Sequence, residues 1–326
     1  MDIICMGEIL LDMFPAELGR KLADVTAFRP KPGGAPANAA VAAARLGKSS
    51  AFVGKVGDDA FGHYLAQVLK EQGVDTRGVR FDRNARTTLA FIAKPDENTS
   101  EYVFYRNPGA DLMLRPDELE TALFEQVRAF HFGSLSLTGD PIRSATYQAV
   151  RLAHTAGALV SFDVNYRPNL WDSPDEALKH IRAMLPNADL LKVNEVELEL
   201  LTGSLELEPA CRSICALGPE VVVVTLGSQG SYFYTAEGHA MAPAFKVQAV
   251  DATGSGDAFI AGLLSRLVEG DHWREHLSPL HLQEILRYAN AVGAITATQV
   301  GVIPALPTAN QVAAFLETFP GQTTSR

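Results

Sequence analysis

One stretch of the chain places a carboxylate beside a glycine-rich turn. Gly254, Ser255 and Gly256 directly precede Asp257, and the apolar run that follows, up to Leu264, predicts a helix that begins at this turn. The first backbone N–H groups of a helix have no acceptor within the helix and lie at the positive end of its dipole, so they can bind phosphate oxygens. The pattern indicates an anion site with a base beside it. A simple capped helix behind a glycine-rich turn is typical of the same residue types.

A second glycine pair precedes a predicted helix near the N-terminus. Gly33 and Gly34 would allow the backbone to approach a small ligand closely, and Pro36 suits a first helical turn. Asn38 would then project toward the same opening, in a helix that is expected to run to Leu46. Taken alone, this stretch predicts only the start of a helix.

An alternation of strands and helices must position these residues. Buried strands are predicted at residues 2–8, 52–56, 130–133, 160–165, 190–194 and 221–225, with helical patterns between most of them, including 59–72. This rhythm predicts an α/β fold with a mostly parallel central sheet and helices on both faces. A β-meander at 232–234 and 241–250 and a last helix at about 283–298 are expected to complete it.

The period of the hydrophobic pattern changes between Arg86 and Arg106. Residues 87–93 and 101–105 are β-rich runs around a turn at 94–98, which predicts a hairpin. With residues 18–28 this hairpin is expected to form a small sheet that projects from the body as a lid, and an ordinary edge hairpin is the alternative.

Polar residues follow several predicted strands, where open parallel sheets bind their ligands. These residues are Asp12 in a polar loop at about 8–15, then Arg167, Lys192, Asn194, Glu197, Thr225, Gly227 and Gly230. Singly, Asp12 is typical of a turn or cap, Arg167 of a surface ion pair and Glu197 of a helix surface. Arg106 and Asp111 leave the hairpin, where they would suit a polyhydroxyl ligand or a salt-bridged turn equally well.

Composition limits the classes of function. The chain has 326 residues, of which 47% are hydrophobic and 20% charged, and its net charge of −10 disfavours a general binder of nucleic acid or of anionic membranes. The N-terminus has neither a basic flank nor a long apolar run, so we expect no secretory signal or membrane span and a cytoplasmic location. Cys5, Cys211 and Cys215 are expected to be buried thiols and not a metal or redox site.

The two glycine motifs carry a resemblance to a known family. The stretches 33–38 and 251–257, in this order and at this separation, are similar to those of the ribokinase-like (PfkB) carbohydrate kinase family, and the similarity extends along essentially the whole chain. Within that family, the stretches 32–38, 104–111 and 130–136 resemble fructokinases most closely.

The resemblance implies a ribokinase-like βαβ sandwich with a mostly parallel central sheet and a small β-sheet lid. Its body would comprise residues 1–11, 33–85 and 107–326, and its discontinuous lid residues 12–32 and 86–106. The implied activity is transfer of the γ-phosphoryl group of ATP to a sugar hydroxymethyl oxygen, and the fructokinase-like motifs favour conversion of D-fructose to fructose 6-phosphate. Mg²⁺ and K⁺ are the expected cofactors. A homodimer through the lid is the expected assembly, with no nucleic-acid or membrane partner.

The resemblance also implies roles for individual residues. Asp257 would take the hydroxyl proton, the N–H groups of Gly254, Ser255 and Gly256 would hold the migrating charge, and Arg167 would neutralise phosphate oxygens. The sugar would be held by Asp12, Gly33, Gly34, Asn38, Arg106 and Asp257. The nucleotide would be bound by Lys192, Asn194, Glu197, Thr225, Gly227, Gly230, Gly254 and Gly256.

Metal roles follow in the same way. Asn194 and Glu197 match the family's Asn-x-x-Glu element, which organises Mg²⁺ largely through water. The activating K⁺ would lie at Asp251, Thr253, Thr296, Gln299 and Gly301. Ala305 departs from relatives that have serine there.

Several alternatives stay open. A 2-keto-3-deoxygluconate kinase, or another ribokinase-like sugar or nucleoside kinase, could share these motifs, although a sugar-acid enzyme must neutralise a carboxylate and Asp111 argues against that. A catalytically dead sugar or nucleotide sensor is disfavoured because Asp257 and the glycine turn are both retained. A dinucleotide dehydrogenase would need a Gly-x-Gly-x-x-Gly motif after the first strand, which is missing.

Overall fold

Strands and helices alternate along most of the chain. The computed structural model describes residues 1–17, 19–93, 95–96 and 101–319. The strands in these ranges are β1 Ile3–Met6, β2 Leu10–Pro15, β3 Phe28–Gly33, β4 Ser50–Gly57, β5 Asp75–Asp82, β6 Leu89–Ala93, β7 Glu101–Tyr105, β8 Ala129–Gly133, β9 Leu159–Asp163, β10 Leu190–Asn194, β11 Val221–Thr225, β12 Gly230–Thr235 and β13 Gly238–Pro243. The α-helices are α1 Ala35–Arg45, α2 Ala60–Glu71, α3 Ile142–Thr155, α4 Pro174–Met184, α5 Glu195–Thr202, α6 Leu207–Cys215, α7 Ser255–Leu267, α8 Pro279–Ala297 and α9 Ala309–Glu317.

The strands form a large and a small sheet. Over the described ranges, the large sheet has nine strands in the order β13-β12-β11-β10-β9-β8-β1-β4-β5, and the small one has four in the order β3-β2-β6-β7. Pairing in the large sheet is parallel except where β12 meets β11 and β13. The expected α/β class, the mostly parallel central sheet and the additional small sheet are therefore confirmed.

Helices cover both faces of the large sheet because its central strands bury side chains on both sides. In β1, Ile3 and Cys5 belong to a core that includes α1, α7 and α8, whereas Ile4 and Met6 belong to a core that includes α3 and α4. The first core permits close helix contacts: a Cβ added at Gly262 of α7 would lie 3.0 Å from a methyl carbon of Val292 in α8. This contact holds the middle of α7 closely against α8.

Two sequence expectations about the small sheet are wrong: the polar loop at about 8–15, and the contribution of residues 18–28 to the sheet. Residues 8–15 are not a polar loop, since β2 occupies Leu10–Pro15 and pairs antiparallel with β3. The strands therefore flank residues 19–27, which contain a short 3-10 helix at Leu22–Asp24. Two prolines obscure β3 in the sequence, and they are tolerated because β3 is an edge strand that needs few N–H donors. The expected hairpin of β6 and β7 is present, and most of its turn lies outside the described residues.

Other element boundaries also differ from expectation. The strand predicted at 241–250 ends at Pro243, the strand predicted to reach Asn165 ends at Asp163, and β5 was not predicted. The strands of the small sheet extend to Leu10 and Gly33, beyond the predicted lid segment 12–32, and the division into body and lid stays a prediction. None of the helices in the described ranges has the length and apolar character needed to span a membrane.

Candidate active site

Two adjoining cavities open at the carboxyl edge of the large sheet. The small-sheet cavity, of about 590 Å³, lies between the body and side chains of β7. The helical cavity, of about 740 Å³, lies beside the starts of α5 and α7 and along α8. The residues that line both are Asn194, Thr225, Ala252 and Gly256. The cavities therefore meet at the first turn of α7.

The turn before α7 requires glycine. Gly254 has φ +79°, and a Cβ there would lie 2.2 Å from a methyl carbon of Val302, so a larger residue would be both strained and in collision. The N–H of Ser255 donates to the carbonyl of Ala252 at 3.1 Å, within the turn. The N–H groups of Gly254 and Gly256 have no acceptor among the described residues. Two of the three predicted donors are thus available to an anionic ligand.

Asp257 lies at this junction and is held by α1. Asn38 Nδ2 donates to Asp257 Oδ2 at 2.8 Å, which joins two predicted site residues that are far apart in sequence. Burial raises the pKa of Asp257 to about 6, and the hydrogen bond from Asn38 opposes part of that rise. Asn38 Oδ1 is buried without a partner among the described residues. The pair offers a base and a free amide oxygen to one ligand.

Two further carboxyl groups line the small-sheet cavity. Asp12 of β2 lies against Gly33, where a Cβ would approach its Oδ2 to 2.0 Å, and burial together with the nearby charge of Asp257 raises the pKa of Asp12 to about 7. Glu8 accepts the N–H of Ala35 at 3.0 Å, and burial raises its pKa to about 7. Glu8 was not predicted as a site residue, because its only signal in the sequence was its position at a strand end.

The two predicted sugar-binding glycines have different positions. Gly34 lines the cavity with φ +109°, and a Cβ there would lie 2.5 Å from the carbonyl oxygen of Glu8. Gly33 does not line either cavity but gives room to Asp12.

A buried ion pair lies beneath the start of α7. Lys192 Nζ is 2.9 Å from Asp163 Oδ2, and a Cβ added at Gly256 would lie 3.3 Å from that nitrogen. Burial alone would lower the pKa of Lys192, but the negative charges of Asp163, Glu197 and Asp257 raise it, so the ammonium stays charged. Lys192 was predicted as a site residue, whereas Asp163 was not.

The predicted magnesium residues form the start of α5. Asn194 Oδ1 accepts the N–H of Glu197 at 2.9 Å, and Glu197 Oε2 accepts the N–H of Asn194 at 2.8 Å. Glu197 Oε1 accepts the N–H of Tyr166 at 2.7 Å, so both of its carboxylate oxygens already bind backbone. Burial raises the pKa of Glu197. Oxygen donors suit Mg²⁺, and their existing bonds fit contact through water molecules.

The predicted potassium residues lie around Asp251. Its Oδ1 accepts the hydroxyl of Thr253 at 2.6 Å, and its Oδ2 accepts the N–H of Gly301 at 3.3 Å. The backbone N–H of Asp251 donates to Ala297 O, next to Thr296 at the end of α8. Thr296 donates its hydroxyl to Val292 O, and the N–H of Gln299 donates to Thr296 O. A carboxylate among several carbonyl groups is a hard oxygen donor set, which fits a hard cation.

The two predicted site arginines differ in accessibility. Arg167 is exposed and lines the small-sheet cavity. Arg106 is 6% exposed, lines neither cavity, and pairs with Asp111 at 2.6 Å between Nη2 and Oδ2. Thr88 Oγ donates to the other Asp111 oxygen at 2.5 Å. The structure therefore shows the salt-bridged turn that the sequence left as an alternative.

The predicted nucleotide residues divide between the cavities: Lys192 and Gly254 line only the small-sheet cavity, and Glu197 lines neither. Asn194, Thr225, Gly227, Gly230 and Gly256 line the helical cavity. Thr225, Gly227 and Gly230 face it from the end of β11 and the following turn, opposite apolar side chains such as Phe259. Asn290 and Ala294 of α8 also line it. Neither was predicted from the sequence, because both lie in a stretch with an ordinary helical pattern.

The large sheet, the small sheet over its carboxyl edge and the glycine turn beside Asp257 define a phosphotransferase of the ribokinase-like class. Residues 1–309 match the model of the pfkB family carbohydrate kinases, and the chain belongs to that family. It is therefore an ATP-dependent sugar kinase, as the sequence motifs indicated.

Relatives and solved structures agree with this family. The probable fructokinase-2 of Arabidopsis thaliana is 45% identical over 316 residues, which cover 97% of this chain and 95% of that protein. The fructokinase of Xylella fastidiosa with bound ATP has a TM-score of 0.87 at 35% identity and covers 97% of this chain and 98% of that one. A double mutant of the Vibrio cholerae fructokinase, with fructose, ADP and potassium bound, has a TM-score of 0.87 at 33% identity and the same coverage.

Proposed function

We propose that this chain transfers the γ-phosphoryl group of ATP to the 6-hydroxymethyl oxygen of D-fructose, giving fructose 6-phosphate and ADP. The observation that carries the proposal is the position of Asp257 at the junction of the two cavities, beside the N–H groups of Gly254 and Gly256. Fructokinases among the relatives, one of them with fructose and ADP bound, support fructose as the acceptor.

The sugar occupies the small-sheet cavity and the nucleotide the helical cavity. Asp12 accepts hydrogen bonds from sugar hydroxyls, and the free Oδ1 of Asn38 accepts another. Thr225 and Gly227 border the nucleotide phosphates. The acceptor hydroxymethyl oxygen then lies near Asp257, and the γ-phosphorus lies at the first turn of α7.

Asp257 acts as the general base. A bond forms between the acceptor oxygen and phosphorus, the bond from phosphorus to the leaving oxygen of ADP breaks, and the hydroxyl proton moves to the Asp257 carboxylate. A carboxylate suffices because a loose transition state makes little demand on the nucleophile until late. With its pKa raised only to about 6, Asp257 is largely ionised at neutral pH. The free N–H groups of Gly254 and Gly256 and the charge of Arg167 stabilise the phosphoryl oxygens.

Metal ions complete the proposal. Asn194 and Glu197 would hold Mg²⁺ through water, and that ion would neutralise nucleotide phosphate charge. Asp251 and its surrounding carbonyl groups would hold K⁺, which would order the turn that carries Gly254. A homodimer through the small sheet and a cytoplasmic location stay predictions.

The test is ADP release from ATP with fructose, glucose, ribose, adenosine and 2-keto-3-deoxygluconate, with and without Asp257→Asn. We expect the highest kcat/KM with fructose. Asp257→Asn preserves shape and most ATP affinity but removes the proton acceptor, so kcat should fall at least ~10²-fold, the lower end for a positioned base. A folded Asp257→Asn variant with near-normal turnover would refute the assignment of the base.

A further inference from the structure

The ion pair of Asp163 and Lys192 joins two neighbouring strands under the active site. Asp163 is the last residue of β9, and Lys192 lies opposite it in the parallel register with β10. Lys192 Nζ lies 2.9 Å from one Asp163 oxygen and 3.1 Å from the other, and neither side chain is more than 8% exposed. A charge pair this deep costs desolvation and is weak evidence of stabilisation by itself.

The ammonium of this pair faces the site while the carboxylate does not. Lys192 lines the small-sheet cavity, and Asp163 lines neither cavity. A Cβ added at Gly256 would lie 3.3 Å from Lys192 Nζ, and Gly256 borders both cavities. The positive charge therefore lies where a phosphoryl group must pass between nucleotide and sugar.

The carboxylate is held in place from a second side. Asp163 Oδ1 accepts the N–H of Asn165 at 3.2 Å, and Asn165 has φ 36°, in the left-handed region. Among the described residues, the Lys192 ammonium donates only to the two Asp163 oxygens. An ammonium has three N–H donors, so one remains for a ligand.

We propose that Asp163 is a positioning residue for phosphoryl transfer, which acts by holding the Lys192 ammonium against the phosphoryl oxygens. The inference rests on the proposed kinase function. A lysine side chain is flexible, so without a fixed partner its charge would spread over several positions. Asp163 sets that position before the reaction, when it costs no reorganisation in the transition state.

The experiment uses Asp163→Asn, Lys192→Met and the double variant. Asparagine can still accept the N–H of Asn165, so Asp163→Asn removes the charge and leaves the turn intact. We expect kcat to fall by about 10²-fold, as for a misplaced catalytic group. Affinity for a nonhydrolysable ATP analogue, measured by calorimetry with Mg²⁺, should fall by roughly 10-fold, while affinity for ADP stays within about threefold, since ADP has no γ-phosphoryl group.

Lys192→Met should show the same difference between the two nucleotides. If Asp163 acts through Lys192, the double variant should be no slower than Lys192→Met, so the effects on kcat should be strongly non-additive. The matched control is Asp82→Asn, because Asp82 pairs with buried Lys55 at 2.9 Å and lines neither cavity. This control should lose stability without changing the ratio of the analogue and ADP affinities.

The outcomes separate this inference from the proposed function. A wild-type protein inactive with every sugar overturns the proposed function. An active wild type with unchanged kcat in Asp163→Asn, equal losses of analogue and ADP affinity, or additive effects in the double variant overturns the positioning role alone. If Asp163→Asn does not fold, the double variant decides, since it retains no unpaired charge: a kcat well below that of Lys192→Met overturns the role.

Discussion

Three carboxyl groups, Glu8, Asp12 and Asp257, line the small-sheet cavity. Burial is the largest cause of the raised pKa of each, and the charge of Asp257 adds to the rise at Asp12. Sugar hydroxyl groups can donate to the carboxylate oxygens that Ala35 and Asn38 do not already occupy. The burial of these three groups also means that ionising them opposes folding in the absence of ligand.

This arrangement predicts how Asp12→Asn changes stability with pH. Burial raises the pKa of Asp12 from its ordinary value of 3.8 to about 7, so the native state binds the proton more tightly than the unfolded state. The resulting stabilisation is complete below pH 4 and is lost as the pH rises through 7. Because asparagine cannot ionise, Asp12→Asn should become progressively more stable relative to wild type between pH 4 and pH 8. Urea unfolding across that range measures the difference.

Asp82→Asn serves as a control of opposite sign. Although burial raises the pKa of Asp82, its hydrogen bonds with Ala85, Lys55 and Asn84 and the charge of Lys55 lower it to about 2. Its contribution is present above pH 4 and is lost as the pH falls toward 2, so this variant should be less stable than wild type at pH 7. If the free energy of unfolding of Asp12→Asn varied with pH in parallel with that of wild type, the raised pKa of Asp12 would be contradicted.

At the residue scale, the sequence predicted which residues belong to the site better than it predicted their contacts with one another. Asp257, Asn38 and Asp12 were proposed because they follow glycine turns or strand ends, and all three line one cavity. The bond between Asn38 and Asp257 could not be predicted, because it depends on how α1 packs against α7. Asp163 was missed because a carboxylate at a strand end has no distinctive spacing until its partner across the sheet is known.

At the scale of elements, Arg106 connects the small sheet to the body. It directly follows β7, and its guanidinium binds Asp111 and the carbonyl of Leu135. Thr88, which precedes β6, binds the same Asp111 carboxylate. Both strands of the hairpin are thus attached to one buried carboxylate where they leave the body.

We therefore expect Arg106→Ala to affect stability more than sugar binding. Removing the guanidinium leaves Asp111 buried without its ion-pair partner, which should cost about 3 kcal/mol in the free energy of unfolding. Asn38→Ala removes a group that lines the cavity and binds Asp257, so it should lower kcat/KM for fructose by ~10-fold or more. Thermal unfolding and steady-state kinetics on both variants provide the comparison. A larger kinetic loss in Arg106→Ala would mean that Arg106 reaches the sugar.

Two of the strands that were not predicted from the sequence share a physical feature. Both β3 and β5 are edge strands, and edge strands need less apolar sequence and tolerate proline or charge. The central strands were predicted because they are buried on both faces and read as continuous apolar runs.

At the scale of the whole molecule, the loop around Asp251 links the end of α8 to the start of α7. Asp251 binds Thr253 two residues along and Gly301 beyond α8, and Val302 then packs against Gly254. An ion bound there would act on the anion site without touching the sugar. We expect faster turnover in potassium than in a large organic cation at equal ionic strength. Equal turnover in the two salts would contradict a potassium site at Asp251. If turnover is faster in potassium, Asp251→Asn should abolish that difference between the salts.

The last prediction concerns the sugar: fructose should exceed 2-keto-3-deoxygluconate in kcat/KM. Asp111 does not exclude the sugar acid, because it is paired with Arg106 and neither residue lines the small-sheet or the helical cavity. We attribute the discrimination instead to Asp12 and Glu8. Their pKa values of about 7 leave both carboxyl groups partly ionised at neutral pH, so a sugar-acid carboxylate entering beside them meets like charge in a poorly solvated pocket. Arg167 lines the same cavity and would offset part of that repulsion.

We expect discrimination of at least ~10²-fold, or about 2.7 kcal/mol of transition-state binding. Sugar hydroxyls can donate to the unoccupied carboxylate oxygens of the cavity, whereas the acid leaves some of those oxygens unpaired while adding a charge. Asp12→Asn removes a carboxyl group that is partly ionised at neutral pH and should therefore narrow the preference for fructose, mainly by improving use of the acid. Kinetics with both sugars on wild type and Asp12→Asn measure this. A wild-type preference for the sugar acid would contradict fructose as the substrate and leave the assignment of Asp257 intact, because the base acts on the hydroxymethyl group that both acceptors share.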